Sequence, residues 1–116
     1  MSPELKKVSA RFYRSLNGRE PVREWLKALD KEDRRTIGQD IATVEYGWPI
    51  GMPVCRALGA GLWEVRSTLP SRRIARVFFM VAEGHLLLLH SFIKKTQATP
   101  KMELAVARAR MREVLI

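Results

Sequence analysis

Cysteine is nearly absent from this chain of 116 residues, which contains only Cys55. A single cysteine cannot form an internal disulfide, and it cannot build a metal site made from several thiolates. Long apolar runs are also missing, because no uninterrupted stretch approaches the roughly 18 residues that would span a bilayer. The first residues include no hydrophobic signal core. These absences predict a protein of a reducing compartment without membrane contact, and we expect it in the cytoplasm.

Several catalytic signatures are missing as well. The sequence has no glycine-rich phosphate loop, no nucleophile elbow and no pair of histidines at the helical spacing that suits zinc. We therefore expect neither a metal nor a cofactor.

Acidic residues are few compared with basic ones, twelve against twenty-one, so the formal net charge is +9 at neutral pH. Residues 1–50 carry ten Lys or Arg against eight Asp or Glu, whereas residues 51–116 carry eleven against four. Repulsion among so many positive charges destabilises a compact state. A polyanionic partner would explain why the chain carries this excess of positive charge. The charge distribution predicts a polyanion-binding surface in the second part, with a merely soluble basic surface as the alternative.

The first fifty residues predict one strand and two helices. Apolar residues alternate over 7–14, which indicates an edge strand. Pro21 suits the first position of a helix, and Asp30 suits the cap of a second helix that Gly47 and Pro49 terminate. We expect the two helices to pack as a hairpin and their carboxylates to lie on solvated faces.

The second part predicts a strand meander followed by a helix. After a loop rich in glycine and proline, apolar runs of strand length cover 62–68, 73–82 and 85–93. Short turns separate these runs and predict antiparallel hairpins, and the pair Thr99-Pro100 is typical of a helix start. The order of strand, two helices, three strands and helix predicts one α+β domain over 1–116.

Basic residues are concentrated on these strands and at the end of the last one. Alternation puts Trp63 and Arg66 on opposite sides of their strand, so a core-facing Trp63 leaves Arg66 outside the core. Arg76 shares the side of Phe78, and its guanidinium must either snorkel or line a groove beside aromatic rings. A groove is favoured because an unpaired buried arginine is rare. The candidate RNA-binding residues are Arg56, Arg72, Arg73, Phe92, Lys101 and Arg108.

Clustered cations next to aromatic rings suit single-stranded RNA, because the cations hold phosphates while the rings stack on bases. Cutting RNA without a metal requires a base for the 2′-OH proton, a cation at the phosphate and an acid for the leaving 5′ oxygen. The candidate catalytic residues are Arg66, Arg76, His90, Lys94 and Lys95. An unperturbed histidine side chain has a pKa of about 6.5, which suits both directions of proton transfer and favours His90 among these candidates. The alternative is a histidine that is hydrogen-bonded within the sheet.

Three segments carry a resemblance to a known family. They are Gly61-Leu-Trp-Glu-Val-Arg66, Arg73-Ile-Ala-Arg76-Val-Phe-Phe and Leu88-Leu-His-Ser-Phe-Ile-Lys94-Lys95-Thr96-Gln-Ala-Thr-Pro100. With the element order, they resemble the phage-derived, HigB-type branch of the RelE/ParE toxin superfamily over nearly the whole chain. The third segment is the most specific, because a strand that ends in Phe-x-Lys-Lys-Thr-Gln before a Thr-Pro helix start is hard to explain by composition.

The resemblance implies a RelE-like fold, in which an N-terminal strand and a two-helix hairpin pack on a twisted antiparallel sheet with a C-terminal helix. It implies the toxin of a type II toxin–antitoxin system, a ribosome-dependent endoribonuclease that cuts mRNA and inhibits translation. The implied partners are the ribosome, mRNA and a helix-turn-helix antitoxin, through which the toxin would reach operator DNA.

Carried over by position, Arg66 would grip the scissile phosphate, and Lys94 and Lys95 would stand near the cut. Two arginines, Arg73 and Arg76, can match the arginine of the neighbouring strand. Ser91 stands where glycine is common in the family, and no terminal tyrosine follows the last strand to serve as the acid.

Two other functions fit the residues. One is a ParE-like toxin that inhibits DNA gyrase by binding, without catalysis. The other is an inactive nucleic-acid-binding relic. The converging cations favour the nuclease, because a gyrase binder has no need of them.

Overall fold

A computed structural model of the chain describes residues 5–95 and 100–115. Their secondary structure runs β1 (Ser9–Phe12), α1 (Pro21–Lys27), α2 (Lys31–Gly47), β2 (Cys55–Gly59), β3 (Leu62–Thr68), β4 (Ile74–Ala82), β5 (His85–Ile93) and α3 (Lys101–Leu115). No helix within these two ranges is long and apolar enough to cross a membrane.

The five strands form one sheet in the order β1, β5, β4, β3, β2. Strands β2 to β5 pair antiparallel in sequence, whereas β1 lies parallel to β5 at one edge, with Ser9 opposite His85. The predicted α+β fold and the predicted edge strand are confirmed, but the sheet is mixed and not wholly antiparallel. Strand β1 can run parallel because long intervening chain connects it to β5, and no tight turn imposes its direction.

Strand β2 lies where the sequence predicts a loop. The segment Cys55–Gly59 pairs with β3, and its register shifts between Ala57 and Gly59. The segment has no β-branched residue and ends in glycine, so its own strand propensity is weak and pairing with β3 decides its conformation. The predicted count of three consecutive strands is therefore wrong by one. Burial raises the pKa of the Cys55 thiol to about 11, and the carboxylate of Glu64 adds to this effect.

The other strand boundaries agree closely with the predictions. Strands β3 and β5 have the predicted bounds, and β4 begins one residue late at Ile74. Between β4 and β5, Glu83 and Gly84 have φ values of 52° and 79°. Two consecutive positive φ values are typical of the two-residue type I′ turn, so the predicted tight hairpin is formed.

Helices cover both faces of the sheet. Helices α1 and α2 pack on one face, which we call the helix-pair face, and α3 packs on the other, the α3 face. Alternation along β4 sends Val77 and Phe79 to the helix-pair face and Phe78 and Met80 to the α3 face. Burial on both faces explains why β4 is almost continuously apolar. On α3, the predicted stripe is confirmed at Leu104 and Met111.

Two carboxylates of α2 contradict the prediction of solvated faces. Asp33 and Glu45 are only 2% and 7% exposed. Asp33 accepts hydrogen bonds from the backbone of Ser71 and the guanidinium of Arg73 in the β3–β4 turn. Glu45 accepts one from the backbone N–H of Ala10 in β1, at 2.7 Å. Both carboxylates therefore join α2 to the sheet.

The helix starts agree with the predictions in position. Pro21 is the first residue of α1, and Asp30 occupies the N-cap position of α2. The Asp30 side chain makes no capping hydrogen bond, so the predicted cap is correct in place only. The predicted cap Thr99 and the side chain of Leu115 lie outside the described residues.

Candidate nucleic-acid interface

Side chains stand in registered rows across the α3 face, at the end of the sheet where β3 and β5 finish. One row consists of Arg56, Glu64, Phe78 and His90, and the next of Arg66, Arg76 and Phe92. Just past β5, the backbone N–H of Lys94 donates to the carbonyl of Ile74 at 2.7 Å. Because strand side chains alternate between faces, Lys94 continues the line of His90 and Phe92 along β5. Residues from four strands are thus brought together on one surface.

Arg76 and Glu64 form a buried ion pair at the centre of this surface. Arg76 Nε donates to Glu64 Oε2 at 2.8 Å, Nη2 donates to the same oxygen, and the two side chains are 3% and 4% exposed. The guanidinium carbon lies 5.6 Å from the ring centroids of both Phe78 and Phe92. The expected aromatic neighbours are therefore present, but the expected snorkelling or open groove is wrong. Glu64 removes the need for either, because a paired arginine can be buried.

Three further cations surround this pair. Arg66 stands opposite Arg76 and is exposed, and Arg56 Nε lies 3.7 Å from Glu64 Oε1. Lys94 is half-buried. Burial lowers the pKa of Lys94, and the positive charges of Arg66 and Arg76 lower it further. We call Arg56, Arg66, Arg76 and Lys94 the cation cluster.

Phe92 lies beside the cation cluster and is half-buried. Its ring meets Phe78 edge-on, with centroids 5.2 Å apart, and it stacks on His90 with centroids 5.8 Å apart. These contacts orient the ring while part of it stays open to solvent. The surface therefore places cations next to a partly exposed aromatic ring, a combination that suits phosphates and bases.

A scan against known protein families matches residues 24–112 to the family described as "Phage derived protein Gp49-like (DUF891)". The chain belongs to this family. The match covers the second half of α1, the whole of α2 and of β2 to β5, and most of α3, so it includes every residue of the cation cluster. The family is RelE-like, and its members are commonly toxins of toxin–antitoxin pairs. No curated protein matches the sequence.

His90 in this Gp49-like chain is held between the sheet and α3. Its Nε2 lies 2.7 Å from Glu103 Oε2, and its Nδ1 lies 3.3 Å from Arg110 Nη1. Because arginine only donates, the network assigns the acceptor role to Nδ1 and the proton to Nε2 in the neutral ring. The His90 side chain is 17% exposed. The sequence left two roles open for His90, proton transfer in catalysis and a structural role as a hydrogen-bonded histidine. The contacts with Glu103 and Arg110 are those of the structural role.

Arg73 lies on the other side of the sheet. It pairs with Asp33 of α2 at 3.2 Å, so it belongs to the helix-pair face, whereas Arg76 stands opposite Arg66. The expectation that all the strand arginines converge on one surface is wrong for Arg73, because its position along the strand has the opposite parity. Arg72 is exposed in the β3–β4 turn with a φ of 68°.

The remaining candidates surround the interface or support it. Lys95 and Lys101 are exposed. Between them, residues 96–99, which are the Thr-Gln-Ala-Thr part of the third family-like segment, lie outside the described residues. Arg108 donates to the carbonyls of Leu58 and Gly59 at 3.1 and 3.3 Å, so it connects α3 to the end of β2.

Sequence reasoning missed Glu64, Glu103 and Arg110. The only signal for Glu64 was its alternation with Arg66 along β3, and α3 carries no pattern that points to His90. Within 5–95 and 100–115, no group of three or more His, Cys, Asp or Glu side chains is arranged to hold a metal ion.

Proposed function

We propose that this chain is the HigB-type toxin of a type II toxin–antitoxin pair and that it cuts mRNA on the ribosome. The observation that carries the proposal is the cation cluster beside the half-buried ring of Phe92. The family match supports the toxin part of the proposal, and the chemistry of the cluster supports the nuclease part.

Arg56 and Arg66 are the groups that we assign to the scissile phosphate. Both are exposed, and a guanidinium fork donates two parallel hydrogen bonds to phosphate oxygens. The charge of Arg76 is largely balanced by Glu64, so Arg56 and Arg66 supply most of the positive potential at the same place. Cations aimed at a phosphate stabilise the additional negative charge that develops in the transition state.

Lys94 is our candidate for the general base. In the reaction, the base takes the proton of the 2′-OH, the 2′ oxygen bonds to phosphorus, and the bond to the 5′ oxygen breaks. The products are a 2′,3′-cyclic phosphate and a 5′-OH, and the leaving oxygen takes up one proton. A lysine with a lowered pKa suits the base, because more of it is neutral near physiological pH. Lys95, the next residue, is the candidate acid.

Phe92 supplies a stacking surface for a base next to the cut. Stacking tolerates any base because every base has a π-face, so Phe92 would hold mRNA without selecting a sequence. The excess of positive charge also favours an acidic surface on the antitoxin, which we propose to be a helix-turn-helix protein. Operator DNA would then be bound through that antitoxin.

Inducing the chain alone in cells, followed by primer-extension mapping of transcript ends, tests the proposal. We expect cuts inside translated frames that disappear when translation is blocked. Arg66→Ala or Lys94→Ala should reduce cutting by roughly 10²-fold or more and relieve growth arrest, because each removes a group that acts in the transition state. Both variants should still bind the antitoxin.

Arg35→Ala is the matched control, since it removes an exposed arginine from α2 on the opposite face. It should cut like the unchanged chain. Growth arrest with intact mRNA would contradict the nuclease and favour the ParE-like alternative, which a gyrase supercoiling assay would then test. Loss of antitoxin binding in Arg66→Ala or Lys94→Ala would also count against these roles.

A further inference from the structure

Glu64 is an acidic side chain buried among cations in a surface that should bind a polyanion. Its oxygens face Arg76 and Arg56, and the side chain is 4% exposed. A carboxylate repels phosphate, so its presence at the centre of such a surface needs a physical reason.

We propose that Glu64 is a positioning residue of the nuclease site, which holds Arg76 between the two phenylalanine rings and sets the balance of charge around Lys94. This inference rests on the proposed function for its link to RNA cleavage. The geometry itself does not depend on that function.

The first part of the argument is the position of Arg76. Two of its nitrogens donate to one Glu64 oxygen, and the guanidinium lies at equal distances of 5.6 Å from the rings of Phe78 and Phe92. A guanidinium held by two donors to one carboxylate has a defined orientation. Because Phe92 contacts this guanidinium, Glu64 also constrains the ring that we assign to base stacking.

The second part is the charge on Lys94. Burial and the neighbouring arginines lower the pKa of Lys94, and Glu64 opposes this shift. The charges acting on Lys94 come from three strands and are, in order of effect, Arg66, Arg76, Glu64 and Arg56. From α3, the carboxylate of Glu103 is bonded to His90, and Lys101 is exposed, as is the adjacent Lys95. Glu64 therefore limits how far burial and the neighbouring arginines lower the pKa of Lys94.

The test measures the pKa of Lys94 directly, by NMR titration of the full chain labelled at lysine. The Lys94 signal is assigned by its absence in Lys94→Arg. We expect Glu64→Gln to lower the pKa of Lys94, since it removes the opposing negative charge. Arg56→Gln should raise it, because a positive charge is removed, and Arg35→Gln should leave it unchanged. General loosening of the fold would not shift the pKa of Lys94 in opposite directions when two neighbouring side chains are changed.

Cleavage provides the second readout. In Glu64→Gln, we expect the rising limb of the pH profile of mRNA cleavage to move to lower pH together with the pKa of Lys94. The maximal rate should nevertheless fall roughly tenfold or more, because Arg76 and the ring of Phe92 are no longer held in place. Circular dichroism and thermal unfolding establish that the variant is folded.

Glu64→Gln leaves Arg76 buried without its carboxylate and so risks unfolding. The paired variant Glu64→Gln with Arg76→Met removes both charges and keeps similar volumes, which buried ion pairs commonly tolerate. We expect it to fold, to restore the pKa of Lys94 towards its original value, and still to cut at least tenfold more slowly because the positioned guanidinium is gone.

An unchanged pKa of Lys94 in folded Glu64→Gln would overturn the proposal, as would normal cleavage by the paired variant. If the unchanged chain does not cut mRNA, the proposed function fails, yet the titrations still decide whether Glu64 controls Lys94. The two failures are therefore distinguishable.

Discussion

His90 illustrates how a residue of a type suited to proton transfer can be committed to structure by its contacts. Both ring nitrogens have protein partners, Glu103 on one side and Arg110 on the other. The ring also stacks on Phe92, so it supports the stacking surface from below. A base for the 2′-OH needs a free nitrogen within reach of the substrate, and these contacts leave Lys94 the better placed of the two candidates.

His90→Gln should therefore retain cleavage within about tenfold while destabilising the fold by about 1–3 kcal/mol, the usual cost of disrupting a partly buried hydrogen-bonding group. Denaturant unfolding measures the stability, and primer extension measures the cutting. Glutamine keeps a donor and an acceptor but not the ring, so a stability loss is expected even where one hydrogen bond re-forms. Abolished cleavage at unchanged stability would instead identify His90 as a catalytic group.

At the scale of elements, buried carboxylates connect α2 to two distant parts of the sheet. Burial works against the charge of Asp33, but hydrogen bonds from Ser71 and the charge of Arg73 together lower its pKa. Glu45 holds β1 through the backbone N–H of Ala10 and also pairs with Lys6. These contacts determine where the helix sits on the sheet, and neither follows from the helical pattern of α2.

The lowered pKa of Asp33 predicts how stability responds to acid. The folded state holds the proton less tightly than the unfolded state, so the contribution of Asp33 is present above its ordinary pKa of 3.8 and is lost as pH falls through the lower folded value. Thermal unfolding between pH 5 and 2, a range of about three units around that value, should show a smaller acid-induced drop for Asp33→Asn.

Glu32→Gln serves as the comparison, because Glu32 lies exposed in the same first turn of α2. It should keep the acid dependence of the unchanged chain. Asp33→Asn should also have a lower melting temperature at neutral pH, since the β3–β4 turn loses its charged partner. Equal curves for the two variants would show that Asp33 contributes nothing through its charge.

Secondary-structure elements were predictable where the sequence around them carries a strong local pattern. Strands β3, β4 and β5 have strong apolar runs between short turns, and their bounds were predicted to within one residue. Strand β2 has no such run, and the parallel pairing of β1 depends on contacts with β5. Both misses have the same physical reason, because backbone pairing with a distant strand leaves little trace in the paired segment.

For the whole molecule, the net charge of +9 predicts salt-sensitive binding of single-stranded RNA. Each phosphate contact that is lost should reduce the slope of log K against log salt by about 0.7. Fluorescence anisotropy with a labelled RNA, between about 50 and 200 mM salt, should therefore give shallower slopes for Arg56→Ala and Arg66→Ala than for Arg35→Ala. Identical slopes for all three variants would mean that RNA binds through the overall positive charge and not through an interface that contains Arg56 and Arg66.

The residues of the candidate site were predictable to different degrees. Arg66 was expected on this surface from strand parity, and Phe92 and Lys94 from their place at the end of the last strand and in the family-like segment. In the sheet, Arg66 and Phe92 stand on either side of Arg76, and Lys94 follows just past β5. Arg73 was assigned to the same surface, but it faces α2. Glu64 was not recognised, because an isolated acidic residue on a strand carries no sign of which cation it will meet.

Local sequence patterns were enough to predict the fold class, most strand bounds, the apolar stripe of α3 and the location of the positive charge. These depend on period, composition and turn residues, which act over a few neighbours along the chain. Three outcomes required the assembled fold: Arg76 is buried against Glu64, His90 is held by α3, and Arg73 faces α2. Each of these outcomes depends on a partner from another element, and the burial that makes such a partner necessary exists only once the sheet has been assembled.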